Sequence, residues 1–180
     1  MNNYQDRTFV STEWLSLKYK QLEDGRRYFY SHETRCNGLI VAILPYRATQ
    51  YGFEVLLRYE NTPCWREGPH ICSITGGIEA GDTAQETVIK ELKEETGYDL
   101  TGLEHRIYAL NSIKGTKSSD TDYYLFAVNL TNLEPGEANP EPGEESETQR
   151  WHKYIPYETA DPLVYAIYHR QALFKLGGIK

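Results

Sequence analysis

The sequence predicts an α/β fold, and three observations carry that expectation. Short runs rich in β-branched and aromatic residues recur between turn signals in both halves of the chain. The apolar period switches to a helical one between Thr83 and Thr96. A second helical pattern follows Pro162 and closes the chain. At 180 residues, a single domain of ordinary size accounts for the whole length.

Each element has a local reason. Around Trp14–Leu17 and Tyr28–Tyr30, two short strands are expected, joined by a turn at Glu23–Arg26 that contains Asp24-Gly25. Leu39–Leu44 is a continuous apolar run ended by Pro45, which suits a strand covered on both faces. Phe53–Tyr59 is the next strand, introduced by Tyr51-Gly52. Asn61–Pro69 reads as a loop, and Ile71–Thr75 as a strand running into Gly76-Gly77. The helix over Thr83–Thr96 places Ala84, Val88 and Leu92 on one stripe. Thr83 and Glu86 have capping-box spacing, and Gly97 suits the left-handed residue that stops a helix. Arg106–Leu110, Tyr123–Leu130 and Arg150–Tyr154 are further strands. Lys114–Asp122 and the Pro-, Gly- and Glu-rich Leu133–Glu147 are loops. The last helix, Asp161–Leu176, would bury Val164, Ile167, Tyr168, Leu173 and Leu176.

Composition excludes several classes of function. There are 26 acidic against 19 basic residues, a net charge of −7, and no basic stripe of the kind a sequence-independent nucleic-acid binder needs. No apolar run exceeds the six residues of Leu39–Leu44, so no membrane span is expected, and Met1–Val10 carries no secretory pattern. Cys36, Cys64 and Cys72 are odd in number and lack C-x-x-C spacing, which argues for free thiols and a cytoplasmic location.

The residues with chemistry are concentrated in the first helix. Glu91, Glu94 and Glu95 are spaced i, i+3, i+4 and share one helix face. Carboxylates that close repel one another, and a hard cation with oxygen ligands relieves the repulsion. A strand and a Gly-Gly turn precede the helix, so backbone can approach a ligand there. The stretch GGIEAGDTAQETVIKELKEETGY, Gly76–Tyr98, resembles the Nudix box: Gly, five residues, Glu, seven residues, then Arg-Glu-apolar-x-Glu-Glu-x-Gly-apolar. Gly76, Glu91, Leu92, Glu94, Glu95 and Gly97 match outright. Asp82 stands where the family has Glu, Lys90 where it has Arg, and Tyr98 where an aliphatic residue is usual.

That resemblance implies a Nudix-type α/β/α sandwich with a mixed β-sheet. Residues 36–180 would form the hydrolase domain. Residues 1–35 would be an N-terminal strand extension like that of the ADP-ribose pyrophosphatase branch, where such segments build a homodimer. It implies hydrolysis of a nucleoside diphosphate linked to another moiety, ADP-ribose or a nucleoside diphosphate sugar, with Mg2+ as cofactor and Mn2+ as a substitute. Glu91, Glu94, Glu95 and the Gly76 carbonyl would be metal ligands, and Asp82 and Lys90 a brace across the motif. The base that activates water would be Glu94 or Glu95, or a loop acid, with Glu147 ahead of Glu145. Arg58, Trp14, Tyr28 and Lys117 are candidates for substrate contact. Two alternatives stay open: a nucleoside triphosphate or dinucleoside polyphosphate hydrolase, and a non-hydrolytic nucleotide sensor. The expected partner is a small nucleotide, not a nucleic acid or a membrane.

Overall fold

A computed structural model describes residues 5–65, 67–140 and 148–175. Ten strands and two α-helices are present among them: β1 (Asp6–Ser11), β2 (Leu15–Gln21), β3 (Arg27–Glu33), β4 (Leu39–Thr49), β5 (Gly52–Asn61), β6 (Pro69–Cys72), β7 (Ile74–Gly77), α1 (Ala84–Thr96), β8 (Ile107–Lys114), β9 (Asp122–Asn129), β10 (Thr148–His152) and α2 (Pro162–Lys175).

The main sheet runs β10-β5-β4-β9-β8, with β6 added on β5 and β7 on β4. The β4–β9 pair is parallel and the others are antiparallel, so the sheet is mixed. Strand β4 shows why it sits between two helices. Its side chains alternate, so Val41 and Ile43 face one way and Ala42, Leu44 and Tyr46 the other. The first set packs with Val88 and Leu92 of α1, the second with Val164 and Ile167 of α2. The result is an α/β/α sandwich, and both faces of β4 are buried as its unbroken apolar run requires.

Pro45 does not end this strand. Leu130 N donates to Tyr46 O, so Tyr46 turns its polar groups toward β9, and Pro45 turns the other way. On that side β7 pairs with Ile40–Ile43 and β5 resumes at Tyr46. The missing N–H of Pro45 falls in the gap between the two ladders.

The expected strand Ile71–Thr75 is two strands divided at Ser73. Ser73 N and Oγ donate to Asp161 Oδ2 at 2.8 and 2.6 Å, which turns the chain from β5 to β4. The same carboxylate caps the start of α2, where Leu163 N donates to Oδ1 at 2.8 Å.

Helix α1 has both predicted ends. Thr83 and Glu86 form the reciprocal capping box, and Gly97 at φ 77° donates to Lys93 O. Among the described side chains of α2, Val164, Ile167 and Gln171 are buried, whereas Tyr168, expected inside, is 42% exposed; the side chains of Leu173 and Leu176 lie outside the described residues. The N-terminal segment forms a separate antiparallel sheet, β1-β2-β3, of three strands where two were expected. The additional strand, β1, is exposed throughout and carries no apolar alternation. The sheet leaves Phe9, Val10, Trp14, Tyr28 and Phe29 open to solvent.

Candidate active site

Strand β7 delivers Gly76 and Gly77 opposite Val41 and Ile40, and the chain then rises into α1. Glu91 lies directly over Gly76: a Cβ there would stand 2.2 Å from Glu91 Cδ. Only glycine admits a carboxylate that close to the strand backbone. Gly76, Glu91 and Glu95 wall a cavity of about 40 Å³, completed by Arg35, Glu79 and Lys90.

Glu95 is held at both ends. Its Oε1 accepts from Arg58 Nη1 at 2.6 Å, and each side chain is only 4% exposed. Its backbone carbonyl accepts from Gln149 Nε2 at 2.7 Å. Gln149 and Arg58 are register partners across β10 and β5, so one pair of residues on the sheet grips the helix end. Arg58 also lies 3.7 Å from Glu60. Arg58, expected at the substrate, is thus engaged in a buried ion pair with Glu95.

The three box glutamates do not converge as one cluster. Among the described residues, no three acid, His or Cys side chains meet at a common point. Glu94 is not on the cavity wall, and its carbonyl accepts from Asn139 N at 2.8 Å. The oxygen donors at the cavity are therefore the carboxylates of Glu91 and Glu95 and the strand carbonyl region of Gly76, with a third carboxylate, Glu79, paired to Lys90. A set of hard oxygens in a space of about one ion and one water fits magnesium, which fills its remaining octahedral positions with water or phosphate.

The brace differs from expectation. Lys90 Nζ pairs with Glu79 Oε1 at 3.1 Å, not with Asp82. The hydrogen bond to Glu79 raises the Lys90 pKa; partial burial opposes this, and the charges of Glu79, Glu94 and Glu91 add to it. Asp82 contributes a backbone bond, its N donating to Glu79 O at 3.1 Å, which closes the turn that presents Glu79.

The predicted substrate residues separate into two places. Trp14 is 57% exposed and lies under the Arg35 guanidinium, 5.1 Å from the ring centroid. Because Arg35 also lines the Glu91–Glu95 cavity, Trp14 stands beside the site. Tyr28 and Lys117 meet each other, the Tyr28 hydroxyl donating to Lys117 O, on a different cavity of about 240 Å³ with Lys20 and Asp120. Five strand residues, about 17 Å of rise, separate Tyr28 from Glu33, the end of β3 that leads to Arg35. Glu145 and Glu147 lie outside the described residues. Arg35, Glu79 and Gln149 carried no signal of spacing and were not anticipated.

A family model described as "NUDIX domain" matches residues 38–176. A Caenorhabditis elegans protein named "Putative nudix hydrolase 1" is 36% identical over 77 residues, which is 43% of this chain and 19% of that protein. The match thus spans about a fifth of that relative. Among solved structures, one titled "Crystal structure of ADP compounds hydrolase" superposes with a TM-score of 0.63 at 18% identity, covering 97% of this chain and 95% of that one. A Caenorhabditis elegans Ap4A hydrolase binary complex gives a TM-score of 0.53 at 16% identity, covering 77% of this chain and 98% of that one. At these identities the structural likeness establishes the fold.

Proposed function

This chain belongs to the NUDIX domain family, and from that premise we propose that it hydrolyses the pyrophosphate bond of a nucleoside diphosphate joined to a second moiety. The products are a nucleoside monophosphate and a phosphorylated moiety. The observation that carries this reading is the convergence of Glu91, Glu95 and Gly76 on one small cavity, with Arg58 fixing Glu95.

The ligands assigned to Mg2+, or Mn2+ in its place, are Glu91, Glu95 and the Gly76 carbonyl. When bound, the ion neutralises pyrophosphate charge and polarises the phosphorus under attack. The chain's own residues do the rest. Arg58 and Gln149 hold Glu95 still, so its position costs no reorganisation during reaction. Lys90 and Glu79 close the outer rim. Arg35 sets a guanidinium at the cavity, where it meets an anionic substrate. Glu147, then Glu145, is proposed to take the water's proton, with Glu94 as the base available within the helix. Two described neighbours in the chain support this reading: Asn139 N donates to Glu94 O and Gln149 Nε2 to Glu95 O.

Trp14 beside Arg35 supports a substrate with an aromatic base and a diphosphate, which favours ADP-ribose or a nucleoside diphosphate sugar. Residues 1–35 are proposed as a homodimer element through the exposed apolar face of the N-terminal sheet. Among the described residues no helix is long and apolar enough to cross a membrane. The free thiols support a reducing, cytoplasmic setting.

The test is incubation with Mg2+ and ADP-ribose, UDP-sugars, dinucleoside polyphosphates or dNTPs, with released nucleotide measured. Turnover of a nucleoside diphosphate compound is expected, and Glu95→Gln should reduce it by about 10²-fold or more. Absence of turnover on every substrate refutes the enzyme reading, and undiminished turnover in Glu95→Gln refutes the ligand assignment.

A further inference from the structure

A second cavity lies away from the box. It has a volume of about 440 Å³ and lies where β4 turns into β5, within the size range of small-molecule sites. Arg47, on its wall, is six residues along β4 from Val41, the partner of Gly76, so about 20 Å of strand separates the two cavities. Arg47 shares the face of β4 that α1 covers lower down, and its guanidinium rests 4.2 Å from the centroid of Trp151. Leu130 and Leu133 supply apolar side chains to its lining.

The polar groups of the lining have a specific chemistry. Arg47 is already committed to Glu54, with its Nε and Nη2 at 2.8 and 2.6 Å from Oε2. Lys153 has no carboxylate partner among the described residues; its ammonium sits over the rings of Tyr51 and Tyr154, at 5.8 and 5.6 Å. The cavity therefore offers one uncommitted cation. Tyr51 is 78% exposed and presents a flat ring at the rim. Gln50 and Asn132 add two primary amides, and Glu134 adds a carboxylate, all on the wall.

We propose that this cavity is a second ligand site that takes a purine nucleoside monophosphate. Lys153 receives the phosphate, leaving its place over the rings. The vacated face of Tyr51 stacks on the base. The exocyclic amine and ring edge of a purine offer the donors and acceptors that Glu134, Asn132 and Gln50 complement, as amide and carboxylate side chains do in base recognition. An apolar ligand would leave those polar groups unmatched, and a simple cation would meet Lys153. The site contains none of the box residues and needs no metal, so it stands or falls apart from the hydrolytic reading.

The test is calorimetric titration of the intact chain with AMP and with GMP in excess EDTA, which removes the metal-dependent mode of binding at the box. Saturable binding of one nucleotide per chain is expected, weakened about tenfold or more by Lys153→Glu and by Tyr51→Ala. Both residues are at the rim, so the variants should retain the parent melting temperature and, without added monophosphate, the parent hydrolytic rate. No saturable binding up to about 5 mM overturns the proposal. So does binding that both variants leave within about twofold of the parent, because the nucleotide then sits elsewhere. Inorganic phosphate binding as tightly as either nucleotide, with the same Lys153 dependence, overturns the assignment of a nucleoside.

Discussion

Replacing Arg58 by Met removes the 2.6 Å partner of Glu95 while keeping an unbranched chain to fill the space between β5 and α1. Both side chains of the pair are 4% exposed, so solvent cannot take over the hydrogen bonds the guanidinium made. Removing one member of a buried ion pair typically costs about 3–5 kcal/mol, because the surviving charge stays desolvated. In a chain of this length each kcal/mol shifts the melting temperature by about 2–4 °C, which places the expected loss at roughly 6–20 °C.

The assay is urea unfolding of parent, Arg58→Met, Glu95→Gln and the double variant, all in EDTA so that bound metal adds nothing. The double variant should be more stable than Arg58→Met alone, since it no longer buries a lone carboxylate. A cost for Arg58→Met below about 1 kcal/mol, the worth of an ordinary surface pair, would refute the reasoning. Arg58→Lys should fall between the two, because an ammonium keeps the charge and loses the planar fork.

Other changes test other parts of the site. Gly76→Ala places a methyl 2.2 Å from Glu91 Cδ and must displace that carboxylate; metal affinity and turnover should both fall, turnover by about 10²-fold, and unchanged Mn2+ affinity would contradict the cradle. Glu79→Gln should cost at most about 1 kcal/mol and lower the Lys90 pKa, read by NMR titration, whereas Asp82→Asn should leave Lys90 unmoved. His152 is held below the ordinary imidazole value of about 6.5 by burial first and by the charge of Arg150, with Glu158 opposing. The folded chain then binds fewer protons there than the unfolded chain. The stability His152 contributes is present above about pH 6.5 and is lost as pH falls through the depressed value. His152→Gln should flatten the urea midpoint between pH 7 and 5, and an unchanged slope would exclude this residue as the cause.

The parts legible in the sequence are those whose causes are local. The capping box at Thr83–Glu86 and the left-handed stop at Gly97 depend on residues within one helix. The two-faced burial of β4 follows from its own composition. What was not legible depends on partners far away in the chain. Ser73 divides a strand because Asp161, 88 residues on, takes its N–H and hydroxyl. Arg58 turns inward because Glu95, 37 residues on, meets it from another element. Pro45 survives inside a strand because two different neighbours happen to meet there. Glu79 displaces Asp82 as the Lys90 partner because the turn at Glu79–Asp82 decides which acid faces the helix, and spacing alone does not encode that.

The C-terminal end of α1 joins these observations into one argument about where chemistry can occur. The last carbonyls of a helix lack intrahelical donors and must find others. Here Gly97 N serves Lys93, Asn139 N serves Glu94, and the Gln149 amide serves Glu95. Gly136 N adds a bond to Gly97 O, and that approach is so close that a Cβ on Gly97 would stand 2.3 Å from Gly136 O. The acids proposed as the base are thus encoded between two anchors on the helix that carries the proposed metal ligands. In the sequence, Glu147 precedes Gln149 by two residues. The carbonyls that end α1 are thus capped from later segments of the chain, and Gln149 is the capping residue that also pairs in register with Arg58.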